Sequence, residues 1–206
     1  MAGKLCVKEL TVGPIGTCCY VVWREGREDC VVIDPGAEPE RIRQSLEGRR
    51  IAAILLTHGH FDHIGGVEGL MGPDTDLVIH RLDAPMLKNP ETNVCWMIGE
   101  TITAPEATVL VRDGDVISFA GIDFTVLHTP GHTRGSVCYY DEENGILFSG
   151  DTLFCAGFGR MDLYGGSPAQ MRASLRSLFA LPEATQVYCG HGPMTSIQSE
   201  KGRYSL

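Results

Sequence analysis

The sequence lacks the long apolar segments of membrane proteins and the excess of basic residues typical of nucleic-acid-binding proteins. No apolar run approaches the roughly 20 residues that a membrane-spanning helix needs, and the N-terminal segment MAGKLCVKEL contains no apolar core of a signal peptide. The 17 Lys and Arg residues are outnumbered by 26 Asp and Glu residues, which gives a formal net charge of −9 and disfavours binding to phosphate backbones. We therefore expect a soluble, cytoplasmic protein whose partners include neither a membrane nor a nucleic acid.

The sequence also lacks a Cys-x-x-Cys motif, so a structural zinc knuckle is not expected. Its eight cysteines are scattered over 206 residues, unlike those of a small disulfide scaffold. Cys30, Cys138 and Cys189 lie in apolar, strand-like runs, and we interpret such cysteines as reduced, buried side chains. No sequence repeat is present, and the length suits one well-buried domain covering residues 1–206.

Short apolar segments alternate with turns and helical segments along the chain. Residues 17–23 and 30–33 have the β-rich composition of strands, residues 38–47 show helical spacing, and residues 51–56 are apolar on both faces, as in a buried strand. Further strands are predicted at 76–80, 116–119, 123–128, 136–140, 145–149 and 186–189, and further helices at 67–70 and 169–179. This pattern predicts an α+β fold in which packed sheets carry helices on their outer faces.

Residues 81–105 show the weakest pattern in the chain. They contain Pro85, Pro90 and Pro105, and the pair Trp96-Met97 has the character of an exposed apolar patch. A stretch of this length without clear secondary structure is typically functional or mobile. Two interpretations remain open, a lid over a binding site and a plain surface excursion.

Residues suited to metal binding follow four of the predicted strands. The strand IAAILL is followed by His58, His60, Asp62 and His63, FTVLH by His132, GILFSG by Asp151, and QVYCG by His191. Side chains at loop positions beyond strand ends meet at one edge of a sheet. His58 and His60 are two residues apart on an extended chain and project to the same side, whereas Asp62 and His63 follow the turn and face a neighbouring position. The cluster therefore predicts sites for two adjacent cations.

Glycines accompany these residues, which is typical of a crowded site. Gly59, Gly131, Gly150 and Gly190 lie directly before or between the candidate ligands and allow the backbone to approach closely. A lone histidine is most often structural or exposed, so His80 and His128 are left out of the predicted site. A His-x-His-x-Asp-His segment joined by three further strand-end residues is far more specific, and we interpret it as a metal site.

The segment THGHFDH, with His132 in TPGHT, Asp151 in SGDTLF and His191 in GHG, resembles the metallo-β-lactamase superfamily over nearly the whole chain. The resemblance implies an αββα four-layer sandwich with the site at one edge of its two sheets. It also implies two ligand sets and a bridging residue: His58, His60 and His132 for one metal, Asp62, His63 and His191 for the other, and Asp151 between them. Asp34 matches an acidic residue of the family that orients a ligand histidine; a turn-forming Asp before Pro35 is the alternative.

The segment DTLFCAGFGRMDLYGG is similar to glyoxalase II, or hydroxyacylglutathione hydrolase, and particularly to a short bacterial group with Gly-Arg-x-Asp. This similarity implies that Arg160 offers its guanidinium to a carboxylate of the substrate, such as one derived from glutathione. An Arg160–Asp162 ion pair that holds the loop is the alternative. The long enzymes continue into a helical C-terminal domain, which we expect this chain, ending 15 residues after His191, to lack.

The implied activity is hydrolysis of a small-molecule thioester with two divalent metal ions as cofactors. Such ions acidify a shared water, and Asp62, which helps to orient that water, is the predicted catalytic residue. Zinc is the expected metal, with iron and manganese as alternatives.

A persulfide dioxygenase of the same fold is the competing interpretation. That family holds one iron with two His and an Asp, here His58, His132 and Asp151. It usually carries His-Asp-Tyr near the last strand, whereas this chain has His191-Gly192-Pro193, as in the short hydrolases. A non-catalytic module of this fold would be expected to have lost ligands, and none is missing. We therefore favour the hydrolase.

Overall fold

The computed structural model describes residues 3–204 and contains two six-stranded sheets. The first sheet is built from β1 (Leu5–Val12), β2 (Thr17–Arg24), β3 (Asp29–Ile33), β4 (Arg50–Leu55), β5 (Asp76–His80) and β6 (Val109–Val111). The second is built from β7 (Val116–Phe119), β8 (Ile122–His128), β9 (Val137–Asp141), β10 (Ile146–Gly150), β11 (Gln186–Cys189) and β12 (Thr195–Ser196). The strands of each sheet are neighbours in chain order, so the first half of the chain forms one sheet and the second half the other.

Both sheets are mixed, and their parallel strands point their carboxyl ends towards the candidate site. In the first sheet β1, β2 and β3 are antiparallel, and β3 to β6 are parallel. In the second sheet only β10 and β11 form a parallel pair. Asp34 follows β3, His58 lies beyond β4, Asp151 follows β10 and His191 lies beyond β11, so these residues come from one edge of the sandwich.

Helices cover the outer faces of the two sheets. The α-helices of the described residues are α1 (Pro39–Ser45), α2 (Phe61–Ile64), α3 (Val67–Leu70), α4 (Pro168–Leu178) and α5 (Ile197–Lys201). Ile42 of α1 and Val67 of α3 pack on the first sheet, and Leu175 of α4 packs on the second. The inner faces of the sheets meet in a third core that includes Tyr20 and Phe148. The predicted α+β, αββα architecture is confirmed.

Side-chain alternation along β3 shows why this sequence forms a layered fold. Cys30 and Val32 face the helices α1 and α3, whereas Val31 and Ile33 face the second sheet. Successive residues of a strand point to opposite faces, so a strand covered on both sides must be apolar throughout. This requirement explains the uninterrupted run CVVI.

The predicted elements agree closely with the observed ones, but the strands β1, β6 and β12 and the helices α2 and α5 were not predicted. The residues of β1 are mostly half-buried and mix charged with apolar side chains, so this strand lacks a clear pattern in the sequence. Residues 81–105, which lacked a clear pattern, contain two 3-10 helices, Ala84–Lys88 and Cys95–Ile98. All eight cysteines are free, and six are buried. No helix among residues 3–204 combines the length and apolar character needed to cross a membrane.

Candidate metal centre

Three histidines from two loops converge beyond the ends of β4 and β8. Nε2 of His58 lies 3.1 Å from Nδ1 of His60, and the ring of His132 lies 4.8 Å and 4.5 Å from their ring centres. All three side chains are buried. Backbone geometry explains the pairing, because His60 is still extended and becomes the residue that precedes α2. The predicted common orientation of His58 and His60 therefore agrees with the structure.

The environment of His58 and His60 keeps these two imidazoles neutral. Burial, followed by repulsion from His63 and His132, lowers the pKa of His58 well below its ordinary value. Burial and His132 lower the pKa of His60 to about 3. A neutral imidazole has a free nitrogen lone pair, which is the form that binds metal ions.

A second group, made of Asp62, His63 and His191, lies beside the first. Oδ2 of Asp62 is 3.2 Å from Nε2 of His63 and 3.2 Å from Nε2 of His191. Burial lowers the pKa of His63, but Asp62, Asp34 and Asp151 outweigh this effect and raise it well above its ordinary value. For His191 as well, burial is outweighed by Asp62 and Asp151, and its pKa is raised.

Asp151 lies between the two groups of ligands. Its Oδ1 is 3.4 Å from Nε2 of His63, and its Oδ2 is 3.5 Å from Nε2 of His132 and 3.6 Å from Nε2 of His191. Burial raises the pKa of this carboxyl, but His63 and His132 outweigh it, and the pKa is lowered. The side chain is thus a carboxylate whose Oδ2 is close to a histidine of each group and whose Oδ1 is close to His63.

The donor atoms of this cluster fit divalent cations. Nε2 of His60, Nε2 of His132 and Oδ1 of Asp151 are buried and have no hydrogen-bond partner among residues 3–204. Buried polar atoms normally have such a partner, because leaving them unpaired is costly. Nδ1 of His132 donates to the carbonyl of Arg160 at 2.7 Å, which leaves the lone pair of its Nε2 directed into the cluster. Three sets of His and Asp donors here have the mutual spacing that one ion requires.

Asp34 connects both groups of ligands. Its Oδ2 lies 2.9 Å from Nδ1 of His63, and the same oxygen accepts a 2.6 Å hydrogen bond from Oγ1 of Thr57. Oγ1 of Thr57 is in turn 3.1 Å from Nδ1 of His58. A hydroxyl that donates to Asp34 accepts from this nitrogen, so the lone pair of His58 is on Nε2. The geometry fits the predicted orienting role of Asp34, and the backbone of Asp34 also turns here, with φ of 50°.

Asp83 is a residue that the sequence interpretation missed. It is fully buried and accepts hydrogen bonds from Oγ1 of Thr133, from the backbone N–H of Gly135 and from that of Gly59. Gly59 separates His58 from His60, and Thr133 follows His132. Asp83 thereby joins the two loops that carry the histidine trio. Its position just beyond β5 is the same strand-end signal that identified the predicted ligands.

Close backbone contacts position Asp151 and His191. Gly190 lies against Asp151, and a Cβ atom at this position would collide with Oδ1 of that carboxylate. Thr17, at the start of β2, pairs with His191 in an isolated bridge and donates a 2.9 Å hydrogen bond to Oδ2 of Asp62. The structure brings all seven predicted ligand residues into one cluster, and their metal-binding role stays a prediction.

A cavity of about 460 Å³ opens over the cluster. His60, Asp62, His132, Asp151 and His191 form its floor. Arg160 lies at its side, and its Nε and Nη2 donate to the two carboxylate oxygens of Asp162 at 2.7 and 2.8 Å. The ion pair considered as the alternative for Arg160 is therefore present, on a side chain that also faces the cavity. His80 and His128 stack on each other outside this cluster.

Relatives of known name share much of this sequence. Hydroxyacylglutathione hydrolase of Aeromonas hydrophila is 44% identical over 174 residues, which cover 82% of this chain and 60% of that protein. The chain thus spans less than two thirds of that relative. A probable metallo-hydrolase of Bacillus subtilis, YqgX, is 35% identical and is matched over 94% of this chain and 93% of its own length.

Solved structures of similar fold include three with at least 30% identity. The BLEG-1 B3 metallo-beta-lactamase has a TM-score of 0.91 at 37% identity and covers 95% of this chain and 96% of its own. TTHA1623 in a di-iron-bound form has a TM-score of 0.85 at 38% identity, and the match covers 97% of this chain and 99% of TTHA1623. ETHE1 from Myxococcus xanthus has a TM-score of 0.76 at 30% identity, and the match covers 96% of this chain and 82% of ETHE1.

The family assignment follows from a match that extends over most of the chain. Residues 12–191 match the Metallo-beta-lactamase superfamily, and this range includes every residue of the cluster. The fold and the relatives agree with that match. The chain belongs to the metallo-beta-lactamase superfamily.

Proposed function

We propose that this protein is a metal-dependent hydrolase of small-molecule thioesters, of the glyoxalase II type. The observation that carries the proposal is the position of Asp151 between two groups of three ligands, with an oxygen 3.4 to 3.6 Å from histidines of both. Such a bridging carboxylate is suited to a pair of cations. We assign His58, His60 and His132 to one cation and Asp62, His63 and His191 to the other. Zinc suits these nitrogen and oxygen ligands, and the di-iron form of TTHA1623 makes iron the main alternative.

Bound divalent cations supply Lewis acidity, which polarises a carbonyl group and acidifies water. Neighbouring residues of the chain fix the orientation of the ligand side chains. Thr17 fixes the carboxylate of Asp62 by donating to Oδ2, and we assign Asp62 to orient the attacking water and to take up its proton. Asp34 holds the ring of His63 by the 2.9 Å contact to Nδ1, and the loop carbonyl of Arg160 holds the ring of His132.

The thiol carrier of the substrate would lie beside Arg160. The relative named hydroxyacylglutathione hydrolase supports a glutathione-derived carrier, and the guanidinium at the cavity side is suited to one of its carboxylates. Asp162 already occupies two donors of Arg160. A substrate carboxylate would therefore bind at Nη1 or displace Asp162.

A persulfide dioxygenase activity is the second candidate, and its support is the 30% identity to ETHE1 from Myxococcus xanthus over 96% of this chain. One iron held by His58, His132 and Asp151 would suffice for that activity. Metal stoichiometry distinguishes the two candidates, because the hydrolase uses both groups of ligands.

The proposal is tested by measuring metal content and turnover on one preparation. Purified protein is loaded separately with zinc and with ferrous iron. It is then assayed on S-D-lactoylglutathione, on glutathione persulfide with an oxygen electrode and, given the BLEG-1 neighbour, on a chromogenic cephalosporin. We expect two ions per chain and thioester hydrolysis. A single iron with oxygen uptake on the persulfide would replace the proposal by the second candidate, and cephalosporin turnover without thioester turnover would also reject it.

A matched pair of variants tests the assignment of the site. The substitution His60→Ala removes a buried ligand, and we expect it to abolish turnover and to lower the bound metal while the circular dichroism spectrum is kept. The substitution His128→Ala removes a histidine outside the cluster and is the control. Retention of near wild-type turnover by His60→Ala would contradict the assignment.

A further inference from the structure

We infer that the acyl group of the substrate is apolar and lies against a wall formed by Ile15, Met97 and Ile98. The inference rests on the proposed thioesterase function and specifies the class of thioester. Ile15 belongs to the turn between β1 and β2, whereas Met97 and Ile98 belong to the 3-10 helix within residues 81–105. All three line the cavity that opens over the candidate metal ligands.

Two apolar side chains of the wall, Ile15 and Met97, are exposed at the cavity. Ile15 is 50% exposed and Met97 is 45% exposed, and both border the same cavity. Single exposed apolar residues are ordinary, but a contiguous apolar patch next to polar groups is typical of a ligand-binding surface. Val94, Phe61 and Leu163 are further apolar residues that line the same cavity.

The wall is fixed directly to the helix that carries the ligands. The backbone N–H of Phe61, the first residue of α2, donates to the carbonyl of Asn93 at 2.9 Å. The buried amide of Asn93 donates to the carbonyl of Ile102 at 2.8 Å and accepts from the N–H of Cys95 at 3.1 Å. Phe61, Val94 and Cys95 also share one buried apolar cluster. The wall and Asp62 therefore have a defined relative position.

Backbone strain at Val94 supports a functional role for this segment. Val94 is in the left-handed region, with φ of 60° and ψ of 20°. A β-branched residue is rare in that conformation because its side chain crowds the backbone. Val94 and two residues of the 3-10 helix that follows it, Met97 and Ile98, line the cavity. Such strain is common in segments that contact a ligand.

The charges beyond the wall disfavour an anionic acyl group. A second cavity of about 270 Å³ adjoins the first and shares Ile15, Phe61, Asp62 and Ile98 with it. The charged residues that line it, within the described part of the chain, are the acids Glu38, Asp62 and Glu100. Arg41 pairs with Glu38 from outside this lining. An acyl group that passes along the wall into this cavity would therefore not be an anion.

The experiment compares acyl groups on one neutral thiol, so that the carrier and Arg160 do not influence the result. Acetyl, hexanoyl and succinyl thioesters of N-acetylcysteamine are hydrolysed by the metal-loaded protein, and kcat/KM is measured for each. Burial of one methylene contributes about fourfold to binding, so we expect hexanoyl to exceed acetyl by roughly tenfold or more. We expect succinyl to be the poorest of the three.

Variants connect this preference to the wall. The double substitution Ile15→Ser, Met97→Ser changes two exposed side chains, and we expect it to reduce the hexanoyl-to-acetyl ratio to about threefold or less. The substitution Leu110→Ser changes an apolar side chain that is 55% exposed on β6 and should leave the ratio unchanged. Equal rates on acetyl and hexanoyl, or a ratio that the double substitution does not alter, would overturn the inference alone. Failure to hydrolyse any thioester would overturn the proposed function together with it.

Discussion

Asp83 accepts a 2.6 Å hydrogen bond from the hydroxyl of Thr133, a residue 50 positions further along the chain. The other oxygen of Asp83 accepts from the N–H of Gly135 at 2.7 Å, and the Thr133-bound oxygen also accepts from Gly59 at 3.2 Å. The loops that carry the histidine trio are therefore joined through one buried carboxylate at the end of β5.

Substitution of Asp83 by Asn should weaken metal binding. The amide is of similar size, but its NH2 group faces an N–H or O–H donor where a carboxylate oxygen accepted before. Loss of partners that orient ligands typically lowers metal affinity by about 10- to 100-fold, and we expect a decrease within this range. Competition with a chromophoric chelator measures it.

The control for this substitution is Asp74→Asn, which changes an exposed carboxylate in the loop before β5. It should leave the metal affinity unchanged. Urea unfolding of both metal-free variants shows whether the effect is only structural. A loss of unfolding free energy in Asp83→Asn, with metal affinity equal to that of the parent, would contradict the positioning role.

Thr57 provides a second, independent test of ligand orientation. The substitution Thr57→Val keeps the shape of the side chain but removes the hydroxyl between Asp34 and Nδ1 of His58. We expect the affinity for one of two cations to fall by about tenfold or more. Thr185→Val is a matched control, because Oγ1 of Thr185 is buried and has no hydrogen-bond partner in the described part of the chain. An equal loss of affinity in both variants would contradict the role of Thr57.

Most residues of the cluster and the layers of the fold could be predicted from the sequence alone. The His58–His63 segment is local, and histidines and an aspartate at such short spacing are typical of metal sites. Asp83 was harder to identify, because an isolated acid after a strand is common and its partners lie 24 to 52 residues away. Strand β1 was missed for a related reason, since its partner β2, rather than its own pattern, determines its place in the sheet.

The two groups of ligands should lose metal at different pH values. The pKa of His63 and that of His191 are raised above the ordinary 6.5. When the pH is lowered, these imidazoles therefore take up protons at a pH above 6.5. The pKa of His58 is far below 6.5 and that of His60 is about 3, so both stay neutral over the same range. Protons compete with metal only at imidazoles that take them up.

Lowering the pH from about 7.5 to about 5.5 should therefore release the cation of the Asp62, His63 and His191 group first. Equilibrium dialysis at several pH values, followed by metal analysis, should give a plateau near one ion per chain. The substitution His191→Ala should remove the first step of this profile and keep the second. Simultaneous release of both ions would contradict the expected order.

Two roles are considered for Arg160, binding of the thiol carrier and an ion pair that holds its loop. Measurements of KM on two carriers distinguish them. The pair of Arg160 with Asp162 is exposed, so water screens the attraction and the pair contributes little to stability. If Arg160 binds a carboxylate of the carrier, Arg160→Met should raise KM about tenfold for hexanoyl-glutathione and leave KM for hexanoyl-N-acetylcysteamine unchanged. Asp162→Asn should lower KM for the glutathione ester, since it frees two donors of the guanidinium. A rise in KM for both carriers, in both variants, would instead mean that the ion pair only maintains the loop whose carbonyl holds His132.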